Sequence, residues 1–337
     1  MQGGYAEGSV LVTGATGFIG RHLVAALLEQ RARVRVLLRA GALLPPAWAD
    51  HVEVRRGDLE TPRSLLGACQ GVDSIFHAAG FAHAWADNAS LVAELHWRVN
   101  AEGTRHLAEA AAETGVKRLV FLSSVKAMGE GGQRCLDEDW PAPPETPYGK
   151  AKRAAERWVV EAGQQHGMQV VNLRLAMVYG PGGKGNLERM IAGIRHGWFP
   201  PLPEVGNRRS MVHVDDVVQA VLRAAADPVA NLKTYLVTDG QTYSSRQIYD
   251  LVRSALGMRA TRWAVPESIL RAAAQVGDRL GGVLGNSSRL NGEALDKLLG
   301  WACYRSDRIQ RELGYRPGRT LADSLPEIVQ AIPGMGG

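Results

Sequence analysis

Two short apolar runs, Ser9-Val10-Leu11-Val12-Thr13 and Arg33-Val34-Arg35-Val36-Leu37-Leu38, flank the stretch that most limits how this chain can fold. Between them lie Gly14-Ala15-Thr16-Gly17-Phe18-Ile19-Gly20 and a helical pattern through Leu23, Leu27 and Leu28. Strand, glycine turn, helix and strand within about 30 residues make a βαβ unit, which demands a parallel sheet with covered faces. The turn brings a helix N-terminus, with unpaired backbone N–H groups, to the carboxyl edge of that sheet, where a pyrophosphate suits it. The spacing is GxxGxxG rather than GxGxxG, and a glycine triplet alone carries little weight. Its place after a strand and before a helix carries the reading. Gly14, Thr16, Gly17, Phe18, Ile19 and Gly20 are therefore the first cofactor-binding candidates.

The alternation continues down the chain. A strand at 52–54 leads to Gly57-Asp58-Leu59 and a helix near 64–68, and 74–80 reads as strand and turn. Helical periodicity covers 99–112, a strand covers 118–122, a helix 148–164 and a strand 170–175. Strands alternating with helices predict an α/β fold, a Rossmann-like doubly wound parallel sheet with ligand at the carboxyl ends. After Tyr179-Gly180-Pro181-Gly182-Gly183 glycine and proline become frequent, strands shorten (234–237), and helices at 215–226 and 245–255 are separated by loops. We read 1–177 as an NAD(P)-binding Rossmann domain and 178–337 as a smaller substrate-binding domain.

Composition narrows the class. Of 337 residues 45% are hydrophobic and 22% charged, ordinary for a soluble globular protein. No apolar run approaches the roughly 18 residues of a membrane span, and the first residues lack the basic-then-apolar pattern of a signal peptide. Cys69, Cys135 and Cys303 are odd in number and widely spaced, so no disulfide framework or zinc site is implied and a reducing cytoplasm is the expected location. The net charge of +5 comes from scattered basic residues without interleaved aromatics, which argues against a nucleic-acid partner and suits an anionic small substrate.

The chemistry concentrates between Ser123 and Lys152. Ser123-Ser124-Val125-Lys126 follows the apolar run Leu119-Val120-Phe121-Leu122, so a strand delivers Ser124 to the sheet's carboxyl edge. Pro147 opens a helix that puts Tyr148 and Lys152 on one face, one turn apart. A phenol has a reference pKa of about 10. A nearby ammonium favours its phenolate, suiting it to exchange a proton while a hydride moves.

The glycine motif, the Asp58 turn, His77-Ala78-Ala79, Asn100, Ser124, and Tyr148 with Lys152 together resemble the extended short-chain dehydrogenase/reductase family. Val178-Tyr179-Gly180-Pro181-Gly182 and Arg209-Ser210-Met211-Val212-His213-Val214-Asp215-Asp216 resemble its nucleotide-sugar epimerase and dehydratase branch, and the likeness runs from about Val10 to Pro317. The resemblance implies Ser124, Tyr148 and Lys152 as the catalytic set, with Lys152 also on the cofactor ribose. It implies Asp58 and Leu59 near the adenine, Ala78, Ala79 and Gly80 along the nicotinamide ribose, and Asn100 close to the active site. No carboxylate follows the second strand, where NAD-specific sites hold the ribose hydroxyls. Arg39 stands there instead, able to pair with a 2′-phosphate or to stack on adenine, so the cofactor is NAD or NADP with NADP favoured.

On the substrate side the resemblance implies Arg209 and Asn186 at the diphosphate and sugar. His83, in the loop after Gly80, is a further candidate, as is Lys126. The Asp-Glu pair that sugar-nucleotide dehydratases carry after the hydroxyl residue is replaced by Val125 and Lys126, which removes dehydration. The likeness is greatest to the 4-epimerases and 4-ketoreductases of bacterial surface-polysaccharide synthesis, acting at C4 of a UDP-linked hexose and expected as homodimers. An alcohol or steroid-type dehydrogenase with the same catalytic set, and a non-catalytic redox-sensing protein, stay open beside it. No metal site and no membrane partner are expected.

Overall fold

The computed structural model describes residues 8–81, 89–284 and 292–332. The strands are β1 (Ser9–Thr13), β2 (Arg33–Leu38), β3 (Val52–Arg56), β4 (Ser74–His77), β5 (Arg118–Ser124), β6 (Cys135–Leu136), β7 (Gln169–Leu175), β8 (Met177–Tyr179), β9 (Arg209–His213), β10 (Lys233–Val237), β11 (Thr242–Tyr243) and β12 (Cys303–Tyr304). Seven of them form one parallel sheet in the order β10-β7-β5-β4-β1-β2-β3. The order reverses between β1 and β4, and that crevice is where such sheets take a ligand. The fold is therefore the doubly wound α/β sheet that the glycine unit demands.

Helices cover both faces. The first four are α1 (Phe18–Glu29), α2 (Pro62–Cys69), α3 (Ala89–Leu95) and α4 (Gly103–Glu113), the last two joined by a π-helical stretch His96–Glu102. After them come α5 (Pro147–His166), α6 (Asn186–Arg195), α7 (Val214–Ala226) and α8 (Ser245–Ala255). The last are α9 (Glu267–Leu284), α10 (Gly292–Leu299), α11 (Asp307–Leu313) and α12 (Leu321–Ala331). Apolar residues of α2, α4 and α5 fill one side of the sheet with Leu11, Ile75, Leu119 and Val170. Those of α1 and α7 fill the other with Val10, Val36, Val120 and Val171. β1 alternates between both clusters, which is why it reads as an unbroken apolar run.

A third cluster joins α6, α8, α10 and α12 into a smaller lobe. The boundary at 177/178 is crossed more than once, however. After β8 and β9 the chain returns through α7, packed on α1, and adds β10 to the edge of the large sheet. The apolar run 234–237 is therefore the edge strand of the large sheet, with one neighbour, and not part of the small lobe.

The cysteines need correction. Cys135 and Cys303, read from the sequence as unpaired, form a disulfide with their Cα atoms 4.4 Å apart. They lie opposite one another in the parallel β6–β12 ladder, a pairing that 168 residues of separation hides from any spacing rule. Cys69 is the free thiol, buried under the sheet, and burial pushes it up to about 12. The pair removes the premise from which the compartment was read. Among the described residues no helix is long and apolar enough to cross a membrane.

Candidate active site

β5 carries Ser123 and Ser124 to the carboxyl edge, where the Ser124 hydroxyl caps the turn Val125–Ala127 by accepting the Lys126 backbone N–H at 3.2 Å. α5 starts at the same edge. Thr146 caps it by accepting the Gly149 N–H at 3.1 Å, Pro147 takes the first turn, and Gly167 closes it with φ of 66°. Tyr148 and Lys152 thus face β5 from one side of α5. Lys152 is buried, donating from Nζ to the Leu122 carbonyl at 2.9 Å and lying 4.5 Å from the centre of the Phe121 ring. Burial lowers the ammonium to about 8, with the Glu156 carboxylate opposing the change. Burial raises the Tyr148 phenol, and a hydrogen bond with Ser124 works against that. The phenol is the resting form here.

Asn100 sits in the π-helical stretch, at a site where the sequence reads as uninterrupted helix. π turns recur at functional sites because the extra residue re-aims side chains. Here the turn lets Asn100, 1% exposed, hold both backbone groups of Phe81: Oδ1 accepts its N–H at 2.7 Å and Nδ2 donates to its carbonyl at 2.8 Å. A Cβ at Gly80 would stand 3.0 Å from Asn100 Oδ1 and 3.6 Å from Lys152 Nζ. The backbone at Gly80 therefore passes directly against both side chains.

The cofactor end of the crevice is built by close backbone approach. Gly14 has φ of +68°, and a Cβ there would lie 2.6 Å from the Ala79 nitrogen, so the turns after β1 and β4 touch. A Cβ at Gly20 would collide with the Gly14 carbonyl. The Gly17 N–H donates to that carbonyl at 2.9 Å, and Gly17 is exposed at the start of α1, whose first turn carries no acid. These features fit a pyrophosphate seated on α1. Thr16 accepts Arg21 Nε on its carbonyl, the Phe18 ring meets His22 edge-on, and Ile19 packs on the sheet. Ala78 and Ala79 donate their N–H groups to the Thr13 carbonyl and hydroxyl at 3.2 and 3.3 Å. Arg39 is exposed just past β2, Asp58 accepts the Glu60 N–H at 3.0 Å, and Leu59 is buried below it.

The substrate candidates are spread more widely. Lys126 is exposed beside Ser124, and Asn186 is exposed at the start of α6. Arg209, on β9, commits Nη1 to the carbonyls of Lys297 and Gly300 at 2.6 and 3.0 Å, and burial lowers its pKa. His83 lies outside the described residues. His213 caps α7 by accepting the Asp215 N–H at 3.2 Å, while Asp216 is buried and accepts the N–H groups of Gly318 and Arg319.

Three buried groups were given no role of their own in the sequence. The His96 ring meets Tyr148 edge-on with centroids 5.3 Å apart, and its Nδ1 lies 3.2 Å from the Phe81 carbonyl. Glu156 lies one turn after Lys152 on α5, a spacing that was a readable signal. His77 is fully buried between two hydroxyls, Nδ1 2.6 Å from Thr13 Oγ1 and Nε2 2.9 Å from Thr104 Oγ1. Thr104 spends its proton on the Asn100 carbonyl, so this network assigns Nε2 as the donor and His77 as neutral. Burial, with the Lys152 ammonium adding to it, lowers the imidazole to about 3.

A model of the NAD dependent epimerase/dehydratase family matches residues 10–237. The chain is 30% identical over 330 residues to UDP-glucose 4-epimerase from Vibrio cholerae, covering 96% of this chain and 95% of that protein. It is also 30% identical to 4-hydroxy-2-methyl-3-oxo-4-farnesyl-3,4-dihydroquinoline-1-oxide ketoreductase from Stigmatella aurantiaca, with 96% of both chains covered. Among solved structures, MoeE5 in complex with UDP-glucose and NAD superposes with a TM-score of 0.75 at 25% identity, covering 96% of this chain and 98% of that one.

Proposed function

Because the chain belongs to the NAD dependent epimerase/dehydratase family, we propose that it transfers hydride at C4 of a nucleotide-linked hexose, as a 4-ketoreductase or 4-epimerase of surface-polysaccharide synthesis. The observation that carries this reading is the convergence of Ser124, Tyr148 and Lys152 beside Gly80 and Asn100 at the end of β5. A bound nicotinamide supplies or accepts the hydride. The protein's own part is the proton. Tyr148 gives its phenolic proton to the carbonyl oxygen as the keto sugar becomes an alcohol, and takes it back in the reverse direction. Ser124 holds the same oxygen by a hydrogen bond. Lys152, buried and charged, favours the phenolate and anchors the cofactor ribose beside Gly80.

The similarity to a UDP-glucose 4-epimerase and to a protein bound to UDP-glucose and NAD supports a nucleotide sugar as substrate. Val125 and Lys126 in place of an acid pair argue against dehydration. Arg39 in place of a ribose-binding carboxylate favours NADP, and with it the reductase, because NADPH is the exchangeable reductant. The test mixes the protein with UDP-hexoses alone and, separately, with UDP-4-keto-6-deoxyhexoses and NADPH. Inversion at C4 without added reductant rejects the reductase; oxidation of NADPH by the keto sugar supports it.

A second reading has its own observation. Arg209, the diphosphate candidate, spends Nη1 on two backbone carbonyls, and one relative is a ketoreductase of a farnesylated quinoline oxide. A lipophilic ketone reduced by the same catalytic set accommodates both facts. Competition by UDP separates the two, because only the sugar-nucleotide reading predicts it.

A further inference from the structure

The reaction as described leaves unused a buried carboxylate next to its catalytic residues. Glu156 is 3% exposed and Arg174, facing it from β7, is 2% exposed. Arg174 donates Nε to Oε1 at 2.9 Å and Nη2 to Oε2 at 2.7 Å, while the Ser123 hydroxyl donates to Oε1 at 2.6 Å. Arg153 approaches Oε2 to 3.6 Å from the solvent side. Each inner member adjoins a catalytic residue. Ser123 precedes Ser124 on β5 and pairs with Arg174 in the sheet, and Glu156 follows Lys152 by one helical turn.

We propose that Glu156 is a positioning residue that keeps Lys152 in its ammonium form and aimed at the crevice. The charged and titratable groups around this spot are Lys152, Arg153 and Tyr148 on α5, Arg174 on β7, His77 on β4 and His96 on the π-helical stretch. Arg174 does not lose its proton, and His77 is neutral. A buried arginine requires an anion, and the two-point fork and the Ser123 hydroxyl favour the ionised carboxyl of Glu156 against the burial that raises it. Without that carboxylate two cations, Lys152 and Arg174, would share an apolar site. The one that can yield a proton is Lys152. A neutral amine has one donor fewer, and one is already spent on Leu122. Cofactor affinity would then fall at a pH where the parent still binds.

This inference rests on the functional reading that Lys152 holds the cofactor. The experiment titrates NADPH and NADH into the full chain by fluorescence, from neutral to alkaline pH, for the parent, Glu156→Gln, Ser123→Ala and Lys152→Met. In the parent, affinity falls as Lys152 loses its proton. In Glu156→Gln the midpoint of that fall moves down by about one pH unit, a loss of affinity relative to the parent that grows to about tenfold above both midpoints. Ser123→Ala removes one hydrogen bond to the anion and moves the midpoint the same way by less, and it covers the case in which Glu156→Gln does not fold. Glu156→Asp restores the parent midpoint in part. Unmoved midpoints in folded Glu156→Gln and Ser123→Ala overturn the inference and leave the functional reading standing. Parent-like cofactor affinity in Lys152→Met overturns both.

Discussion

The two lobes hold their polar groups by opposite means. In the cofactor lobe the contacts around the crevice are made by segments that end at one sheet edge: Thr13 with Ala78 and Ala79, Asn100 with Phe81, Lys152 with Leu122. In the smaller lobe they span long stretches of chain. Arg209 caps carbonyls at 297 and 300, Asp216 holds 318 and 319, Ser210 holds Tyr304, and Cys303 is bonded to Cys135. A parallel sheet aligns its strand ends and brings catalytic groups together as a by-product of topology. A lobe of short strands and helices must instead be fastened piece by piece. The self-aligning scaffold thus carries the proposed catalytic groups, and the fastened one carries Arg209 and Asn186, the proposed substrate contacts.

The largest effect that can break this division belongs to Tyr148. Tyr148→Phe removes one hydroxyl beside Ser124 and leaves the ring against His96. Turnover should fall by about 10²- to 10⁴-fold, with cofactor affinity and melting temperature kept, as stopped-flow hydride transfer and calorimetry will report. A merely tenfold loss would move the acid/base out of the cofactor lobe. Next comes the fastening itself. Cys135→Ser, or reduction of the disulfide, should cost about 2–4 kcal/mol of stability, read as a shift of the urea midpoint. It should loosen β6 and β12 while amides of β1, β4 and β5 keep their hydrogen-exchange protection. Equal loss of protection in both lobes would show that the molecule melts as one unit.

The same contrast explains what the sequence discloses. β1, β2 and α8 are legible to the residue because apolar runs, the glycine turn and helical periodicity are local signals. Tyr148 and Lys152 are legible for the same reason, being one turn apart on a helix opened by Pro147. What escapes is non-local. Cys135 and Cys303 look unpaired because the β6–β12 ladder joins segments with no pattern of their own. β10 looks like part of the small lobe because it follows β8 and β9 in the chain and returns to the large sheet only through α7. The π turn around Asn100 escapes because its residues have ordinary helical periodicity, and only the Phe81 backbone it holds shows why the turn is there.

A smaller effect, and one of opposite sign in the two lobes, is expected from pH. His77 in the cofactor lobe has its imidazole lowered from 6.5 to about 3 by burial and Lys152. Its contribution to stability is present above 6.5 and is lost as pH falls toward 3, since only the unfolded chain binds the proton there. Asp239 in the smaller lobe has its carboxyl raised from 3.8 to about 6 by burial, against hydrogen bonds from the Gln241 N–H, Tyr243 and Tyr179. Its contribution is present below 3.8 and is lost as pH rises through 6. Each group acts with a limiting slope of about 1.4 kcal/mol per pH unit. Urea melts between those limits should therefore show less acid destabilisation in His77→Asn and more in Asp239→Asn. Slopes that change in the same direction in both variants would remove the contrast.

The smallest effect sharpens the comparison at its margin, because Arg39 is a cofactor candidate lying outside the contacts at the shared edge. It lies exposed beyond β2, with its backbone carbonyl fixed by Arg56 Nη1 at 3.0 Å. The backbone therefore stays put when the side chain changes. A guanidinium meeting a 2′-phosphate in solvent contributes a modest charge-assisted bond, so Arg39→Ala should weaken NADPH by about tenfold, or about 1.4 kcal/mol. NADH, which lacks that phosphate, should bind as before. If Arg39 stacks on adenine instead, both cofactors weaken equally. The ratio of the two dissociation constants, measured on one preparation, then decides between a phosphate clamp and an adenine platform, and with it between an exchangeable and a resident cofactor.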